Sequence, residues 1–244
     1  MFNFDEFAKR YDRLRAADLD IINCFIDKIK LSKNSKILDF GCGTGNYLFL
    51  LKNSGYINLY GIDNSSNMLS YAKNKLEANF YLGNHYNYPV FEIYFNFIYM
   101  IDVIHLIKDI ELLFDKFNQS LEYPAEIAIV TQSHEQINKC FYRKYFPSAT
   151  AINTDRYHPI DKILSISKQF GFDLKERINY KQDEPLLVDG NYLSRIKEKC
   201  FSTLELIPQE EFDLGIKMLE EELICKKSFM TRHWGRTILF FKRG

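Results

Sequence analysis

The sequence is short of several things. It has only 11 glycines and 6 prolines in 244 residues, which excludes a collagen-like or low-complexity chain. Its five cysteines (Cys24, Cys42, Cys140, Cys200 and Cys225) include no C-x-x-C arrangement. A zinc or dithiol redox reading therefore has no support. Their odd number and wide spacing fit reduced thiols, as expected in a cytoplasmic protein. The N-terminal stretch MFNFDEFAKRYDRL mixes acidic and basic residues and has no apolar signal core. The most hydrophobic stretch, residues 90–107, is interrupted by Glu92, Asn96 and Asp102, so it is too short and too polar to span a bilayer. An excess of one charge is missing too: 32 basic and 32 acidic side chains leave a formal net charge of zero. Nucleic-acid binders draw much of their affinity from phosphate neutralisation, so neither a nucleic-acid partner nor a membrane is expected.

Apolar residues are plentiful. Hydrophobic residues make up 46% of the chain and aromatics 16%, which excludes a disordered chain and provides for a sizeable core at this length. Helical spacing is visible over 3–15 and over 18–29, where Leu19, Ile22, Phe25, Ile26 and Ile29 share one apolar face. Residues 36–40 (KILDF) form a short apolar run that stops at GCGTG, after which helical spacing resumes with Tyr47, Leu48, Leu50 and Leu51. This strand–glycine turn–helix order opens a βαβ unit. Further strands are expected at 57–62, 79–82, 95–101, 126–131, 173–180 and 236–242. Helices are expected at 66–78, 109–121, 160–170, 190–203 and 208–227. The alternation implies an α/β fold with a Rossmann-like, doubly wound, mostly parallel seven-stranded sheet. Two segments, 132–158 and 181–235, interrupt it. They follow late strands, near the strand ends where open α/β sheets place ligands, and are expected to be helical substrate-cap insertions in a single domain, 1–244.

The glycine turn reads Asp39-Phe40-Gly41-Cys42-Gly43-Thr44-Gly45-Asn46. Glycines there permit positive φ and remove Cβ atoms, so that a ligand can touch backbone, and the following helix presents N–H groups to it. The dinucleotide fingerprint G-x-G-x-x-G does not fit, because the third glycine comes one residue early, and no Gly-Lys-Ser/Thr follows for a P-loop. The tighter G-x-G-x-G turn after Ile37-Leu38-Asp39 resembles the first motif of class I S-adenosylmethionine-dependent methyltransferases. Gly61-Ile62-Asp63-Asn64-Ser65 with Met68-Leu69 resembles that family's acidic motif after the second strand. Phe95-Asn96-Phe97-Ile98 with Val103-Ile104-His105 resembles its fourth-strand motif. The likeness runs over roughly 4–180, in the right order and on the right elements.

The resemblance implies S-adenosyl-L-methionine as cofactor and assigns residues to it. Asp63 would accept hydrogen bonds from both ribose hydroxyls, since a carboxylate matches a vicinal diol. Gly41, Cys42 and Gly43 would let the backbone approach, and Asp39 would favour the ammonium of the methionine part. Asn64 and Met68 belong to the acidic motif. Asn84 stands where the family commonly has an aspartate for the adenine amino group, Ile101 would offer backbone, and Tyr11 lies in a segment resembling the helix that folds over the cofactor. Asn96 replaces the aspartate commonest in the fourth-strand motif. For catalysis the candidates are His105 and Asp102 after the fourth strand and His134 after the fifth. Single histidines are more often surface or core groups, which sets aside His85, His158 and His233. Arg143 and Lys144 could meet a substrate carboxylate or phosphate, although a solvated helix face is the commoner role. The expected function is methyl transfer to a small-molecule acceptor. The alternatives are a cofactor-binding sensor or interaction subunit without turnover, and a protein or RNA methyltransferase. The acceptor atom and the oligomeric state stay open.

Overall fold

Local sequence sets the elements over residues 4–243, which the computed structural model describes. Helix α1 (Phe4–Leu14) buries Phe7, Ala8 and Leu14; residue 3, where its start is expected, lies outside the described residues. Helix α2 (Leu19–Ile29) is capped by Asp18, whose carboxylate accepts the Asp20 N–H at 3.2 Å. It buries Ile21, Ile22 and Phe25. Strand β1 (Lys36–Phe40), helix α3 (Asn46–Asn53), strand β2 (Asn58–Asp63), helix α4 (Ser66–Lys75) and strand β3 (Asn79–Leu82) follow. Ser65 caps α4 by accepting the Met68 N–H at 3.1 Å. Strand β4 (Phe95–Ile101), helix α5 (Ile110–Ser120) and strand β5 (Leu121–Thr131) complete the first half. The second half contains α6 (His134–Asn138), α7 (Ser148–Arg156), α8 (Ile160–Gln169), β6 (Phe172–Tyr180), β7 (Pro185–Val188), α9 (Gly190–Lys197), α10 (Gln209–Lys226), β8 (Phe229–Arg232) and β9 (Arg236–Arg243).

Seven strands form one sheet in the order β3-β2-β1-β4-β5-β9-β6, and the pairings among β1 to β5 are parallel. The chain starts in the middle, steps outward to β3, then crosses back to β4. The strand order therefore reverses between β1 and β4, which places a crevice at their C-terminal ends. Both central strands are buried on both faces, as in a sheet covered by helices on two sides. Leu38, Phe40, Ile98 and Met100 are buried with Phe114, Phe117 and Ile163 from the covering helices.

The chain forms two compact units. Of the described residues, one takes in 4–131, Ile160–Arg177 and 238–243; the other takes in Gln132–Pro159 and Ile178–Thr237. The first contains the sheet. The second contains α6, α7, α9, α10 and the antiparallel pair of β7 and β8, and includes the segments 132–158 and 181–235.

Three local expectations are corrected. Strand β5 begins at Leu121 and not at 126: its register against β4 shifts between Phe95 and Phe97, so Glu122, Tyr123 and Pro124 form an irregular stretch that reads as loop. The helix expected over 190–203 stops at Lys197, and Lys199 takes a left-handed φ of 51°. Leu19, expected on the apolar face of α2, is 50% exposed.

Candidate active site

The turn after β1 is tied to the end of β2. The N–H groups of Gly41 and Cys42 both donate to the Ile62 carbonyl, at 2.8 and 2.9 Å, and Gly45 N–H donates to the Cys42 carbonyl at 2.9 Å. Gly41, Gly43 and Gly45 have φ of 83°, 53° and 76°, where only glycine sits without strain. Their tasks differ. A Cβ on Gly41 would lie 2.5 Å from the Val103 side chain, and one on Gly45 would lie 2.9 Å from Leu76, so these two are glycine because the core leaves no room. A Cβ on Gly43 would meet nothing nearer than the Tyr11 ring, at 3.7 Å. Gly43 is thus bare toward a space that Tyr11 borders.

Asp63 ends β2 and faces this turn. Its Oδ2 accepts the Gly43 N–H at 2.8 Å and its Oδ1 accepts the Ser65 N–H at 2.9 Å. Burial raises its pKa, and the backbone donors offset part of that rise. The two bonds fix the plane of the carboxylate, while each oxygen keeps acceptor capacity for a further donor. Such a fixed pair of acceptors suits a vicinal diol.

Asp39 is 3% exposed. It lies opposite Gly61 on one side and Tyr99 on the other, and the Tyr99 hydroxyl donates to its Oδ2 at 3.0 Å. Burial pushes its pKa up to about 8; the Tyr99 hydrogen bond opposes the rise and the Asp63 charge adds to it. The carboxyl is therefore mostly neutral at pH 7 in the free protein, and a cation placed beside it would ionise it.

Helix α1 is pinned over the turn. Thr44 donates its hydroxyl to Asp12, and Asp12 Oδ2 pairs with Lys75 Nζ at 2.7 Å. Lys75 also donates to Asn46, and Ser65 donates its hydroxyl to Asp5. Burial raises the Asp12 pKa, but Lys75, Thr44 and Asn46 outweigh it and leave the group below its ordinary range. Tyr11, on this helix, has its pKa raised by burial and by the nearby charges of Asp102 and Asp63, against the opposing pull of Arg15.

The structure thus brings together Tyr11, Asp39, Gly43 and Asp63. Asp102 follows β4 with φ of 55°, a left-handed conformation that is strained for an aspartate, and donates its N–H to Val130 at 3.0 Å. Ile101 ends the same strand, and His105 stands on the short 3-10 turn Ile104–Leu106 just beyond. Asn64 is exposed and Met68 is buried. Cys42 turns inward, its sulfur lying 2.7 Å from where a Gly61 Cβ would be, so it packs the turn. Asn84 uses its carbonyl oxygen on its own loop, accepting the N–H of Tyr86 at 2.8 Å and of Asn87 at 3.0 Å; only its amide NH2 is left for a ligand. Asn96 lies at the far end of β4, where it accepts the Lys36 N–H at 2.8 Å and donates to Glu122 at 2.7 Å.

His134 belongs to the other unit. Its Nε2 lies 2.8 Å from the Tyr157 carbonyl. A carbonyl only accepts, so that nitrogen carries the proton and the ring ties α6 to the end of α7. Arg143 donates to the Asn138 carbonyl, and Lys144 pairs with Glu222 at 2.6 Å, so both have structural partners. Sequence reading misses Tyr99, Asp12 and Lys75. Of these only Tyr99 has a local signal, its place on a buried strand beside that of Asp39. Among the described residues no group of three or more metal-ligating side chains exists and no helix is long and apolar enough to cross a membrane.

Comparison with known proteins agrees with this geometry. Residues 37–123 match a family model described as a methyltransferase domain. A carboxy-S-adenosyl-L-methionine synthase from Campylobacter jejuni is 36% identical over 76 residues, 31% of this chain and 32% of the relative. Phosphoethanolamine N-methyltransferase 1 from Triticum aestivum is 31% identical over 110 residues, 43% of this chain and 22% of that protein. The chain thus matches about a third or less of the length of these curated relatives. Among solved structures, a chain from Anabaena variabilis described as a methyltransferase of an antibiotic biosynthesis pathway superposes with a TM-score of 0.79 at 19% identity, over 93% of this chain and 98% of that one. That likeness shows the fold, a seven-stranded Rossmann-like sheet.

Proposed function

Starting from a chain that has the class I methyltransferase fold and a methyltransferase domain at residues 37–123, we propose that it binds S-adenosyl-L-methionine at the turn after β1 and transfers a methyl group to a small-molecule acceptor. The observation that carries this reading is the Asp63 carboxylate, held by Gly43 and Ser65 beside a glycine whose Cβ position is open up to Tyr11. The residues present fit the cofactor. Asp63 takes the ribose diol, Asp39 takes the cationic methionine part, Gly43 admits close approach, and Tyr11 shields the bound group from water. When bound, the cofactor supplies a methyl group already activated by its sulfonium.

Positioning and exclusion of water are the protein's share of such a displacement, and positioning can account for on the order of 7–11 kcal/mol of a barrier. A base is needed only where the acceptor atom carries a high-pKa proton. Asp102 and His105, beyond β4, are the groups of this unit proposed for that task. A small acceptor is favoured by the chain's zero net charge and by the small molecules in the names of its relatives. The segments 132–158 and 181–235 are proposed to recognise it.

Calorimetry with S-adenosylmethionine and S-adenosylhomocysteine tests the reading. Asp63→Ala is expected to weaken both by roughly 1.5–3 kcal/mol, the worth of charge-assisted hydrogen bonds. Equal affinities in wild type and variant would remove Asp63 from the site.

A further inference from the structure

We infer that Arg156, with Ser202 and Thr203, forms a subsite for an oxyanion, a carboxylate or a phosphate. The subsite is defined by its own geometry; assigning the anion to the methyl acceptor rests on the function proposed above.

Arg156 is the last residue of α7 and is half-buried. A guanidinium drawn partly out of water is commonly paired with an acid. The partners of Arg156 are two neutral hydroxyls at the long end of hydrogen bonding, Thr203 Oγ1 at 3.4 Å and Ser202 Oγ at 3.3 Å. Among the described residues no carboxylate pairs with it. Burial lowers its pKa, and the neighbouring tyrosines Tyr157 and Tyr142 act in the other direction. Guanidinium offers five N–H donors in a planar fork suited to a two-oxygen acceptor, and the two hydroxyl bonds leave most of them free.

The surroundings hold the fork in place. Thr203 donates its hydroxyl to Asn153 Oδ1, so its oxygen faces Arg156 as an acceptor. Asn153 in turn donates to the Tyr142 hydroxyl at 3.4 Å. Asn153 and Thr203 are 5% and 4% exposed, so this relay is built into the unit. Ser202 accepts from Arg156 and makes no donor bond among the described residues, which leaves its proton for an anion. The other basic side chains considered for such a role, Arg143 and Lys144, already have partners. Beside the subsite, Tyr142 stacks on Phe201 with ring centroids 5.4 Å apart and meets Trp234 edge-on, also at 5.4 Å. Trp234 is the chain's single tryptophan, so the unit carries its own optical reporter.

The test is a titration of the cofactor-free full chain with inorganic phosphate and, separately, with acetate, at constant ionic strength, followed by tryptophan fluorescence. A saturable change in wild type is expected. Arg156→Gln should weaken it on the order of 10–100-fold, as loss of a charged partner does, with Arg156→Lys in between. Ser202→Ala should weaken it about 2–10-fold, and supplies the answer should Arg156→Gln fail to fold. Saturation by phosphate alone assigns a phosphate-bearing ligand, and saturation by acetate alone a carboxylate; if both saturate, the tighter one decides. No saturable response to either anion, or equal responses in wild type, Arg156→Gln and Ser202→Ala, would overturn the subsite. The readout needs no cofactor. Failure of S-adenosylhomocysteine binding with a normal anion titration would therefore strike the proposed function alone, and the converse would strike the subsite alone.

Discussion

At the residue scale, three glycines within five positions do two jobs. Gly41 and Gly45 are fixed by Val103 and Leu76 against them, whereas the Cβ position of Gly43 is open up to Tyr11. Asp39 shows the same division between packing and chemistry. Its folded pKa of about 8 stands above the ordinary 3.8, so the folded state holds a proton that the unfolded chain has lost. The stabilisation this gives is complete below about pH 4 and disappears as pH rises through about 8. Asp63, also raised by burial, contributes a slope of the same sign. A bound cation reverses the preference of Asp39. Binding of S-adenosylhomocysteine, whose homocysteine part carries an ammonium, should release up to about one proton at pH 7, and affinity should rise with pH up to about 8. Calorimetry in two buffers of different ionisation enthalpy measures the release directly. Asp39→Asn should abolish it, and a release unchanged in that variant would assign the proton elsewhere.

At the element scale, helix α1 is held by a few polar bonds at its two ends, Asp5 with Ser65 and Asp12 with Thr44 and Lys75. The Asp12 pair is partly exposed, so its worth is about 0.5–1 kcal/mol. Asp12→Ala should speed amide exchange across α1 by roughly two- to fivefold while the melting temperature of the sheet barely moves. Because the folded pKa of Asp12 is depressed, the contact is present above its unfolded pKa and is lost as pH falls through the folded value. Exchange over 4–14 that is the same in both proteins would show that the helix is held without the Asp12 contact, by its apolar face with Phe7 and Leu14 and by the Asp5–Ser65 bond. Elements with a local signal are legible in the amino-acid order alone. Strands β1, β3 and β4 fall at their expected bounds because each is a short apolar run that ends in turn residues or polar breaks. The pairing of β7 with β8 is not legible, since two helices separate the strands and no turn residue marks it. Helix α7 escapes notice because SATAINTDR has too few apolar residues to show a period. The same limit applies to the site. Asp63 and the glycine turn announce themselves by spacing, whereas the partners of Asp12 and the lack of an acid beside Arg156 depend on residues tens of positions away.

At the scale of the whole molecule, the chain passes between its two units after Thr131, Pro159, Arg177 and Thr237. Strands β6 and β9 each have residues in both units. Neither unit is a continuous segment, so one cannot unravel without releasing strands that complete the sheet order β5-β9-β6. That argues for a single cooperative unfolding transition, although the chain is longer than most two-state domains. The two units can be followed separately. Trp234 reports the unit formed by 132–159 and 178–237, while far-UV circular dichroism reports the sheet and its helices as well. The two thermal transitions should coincide. S-adenosylhomocysteine at about 100 times its dissociation constant should add about 2.7 kcal/mol to the folded state and move both curves upward together. A dichroism curve that shifts while the Trp234 curve stays in place would show that the sheet unit binds and unfolds by itself, and that passing the chain four times between the units does not couple them.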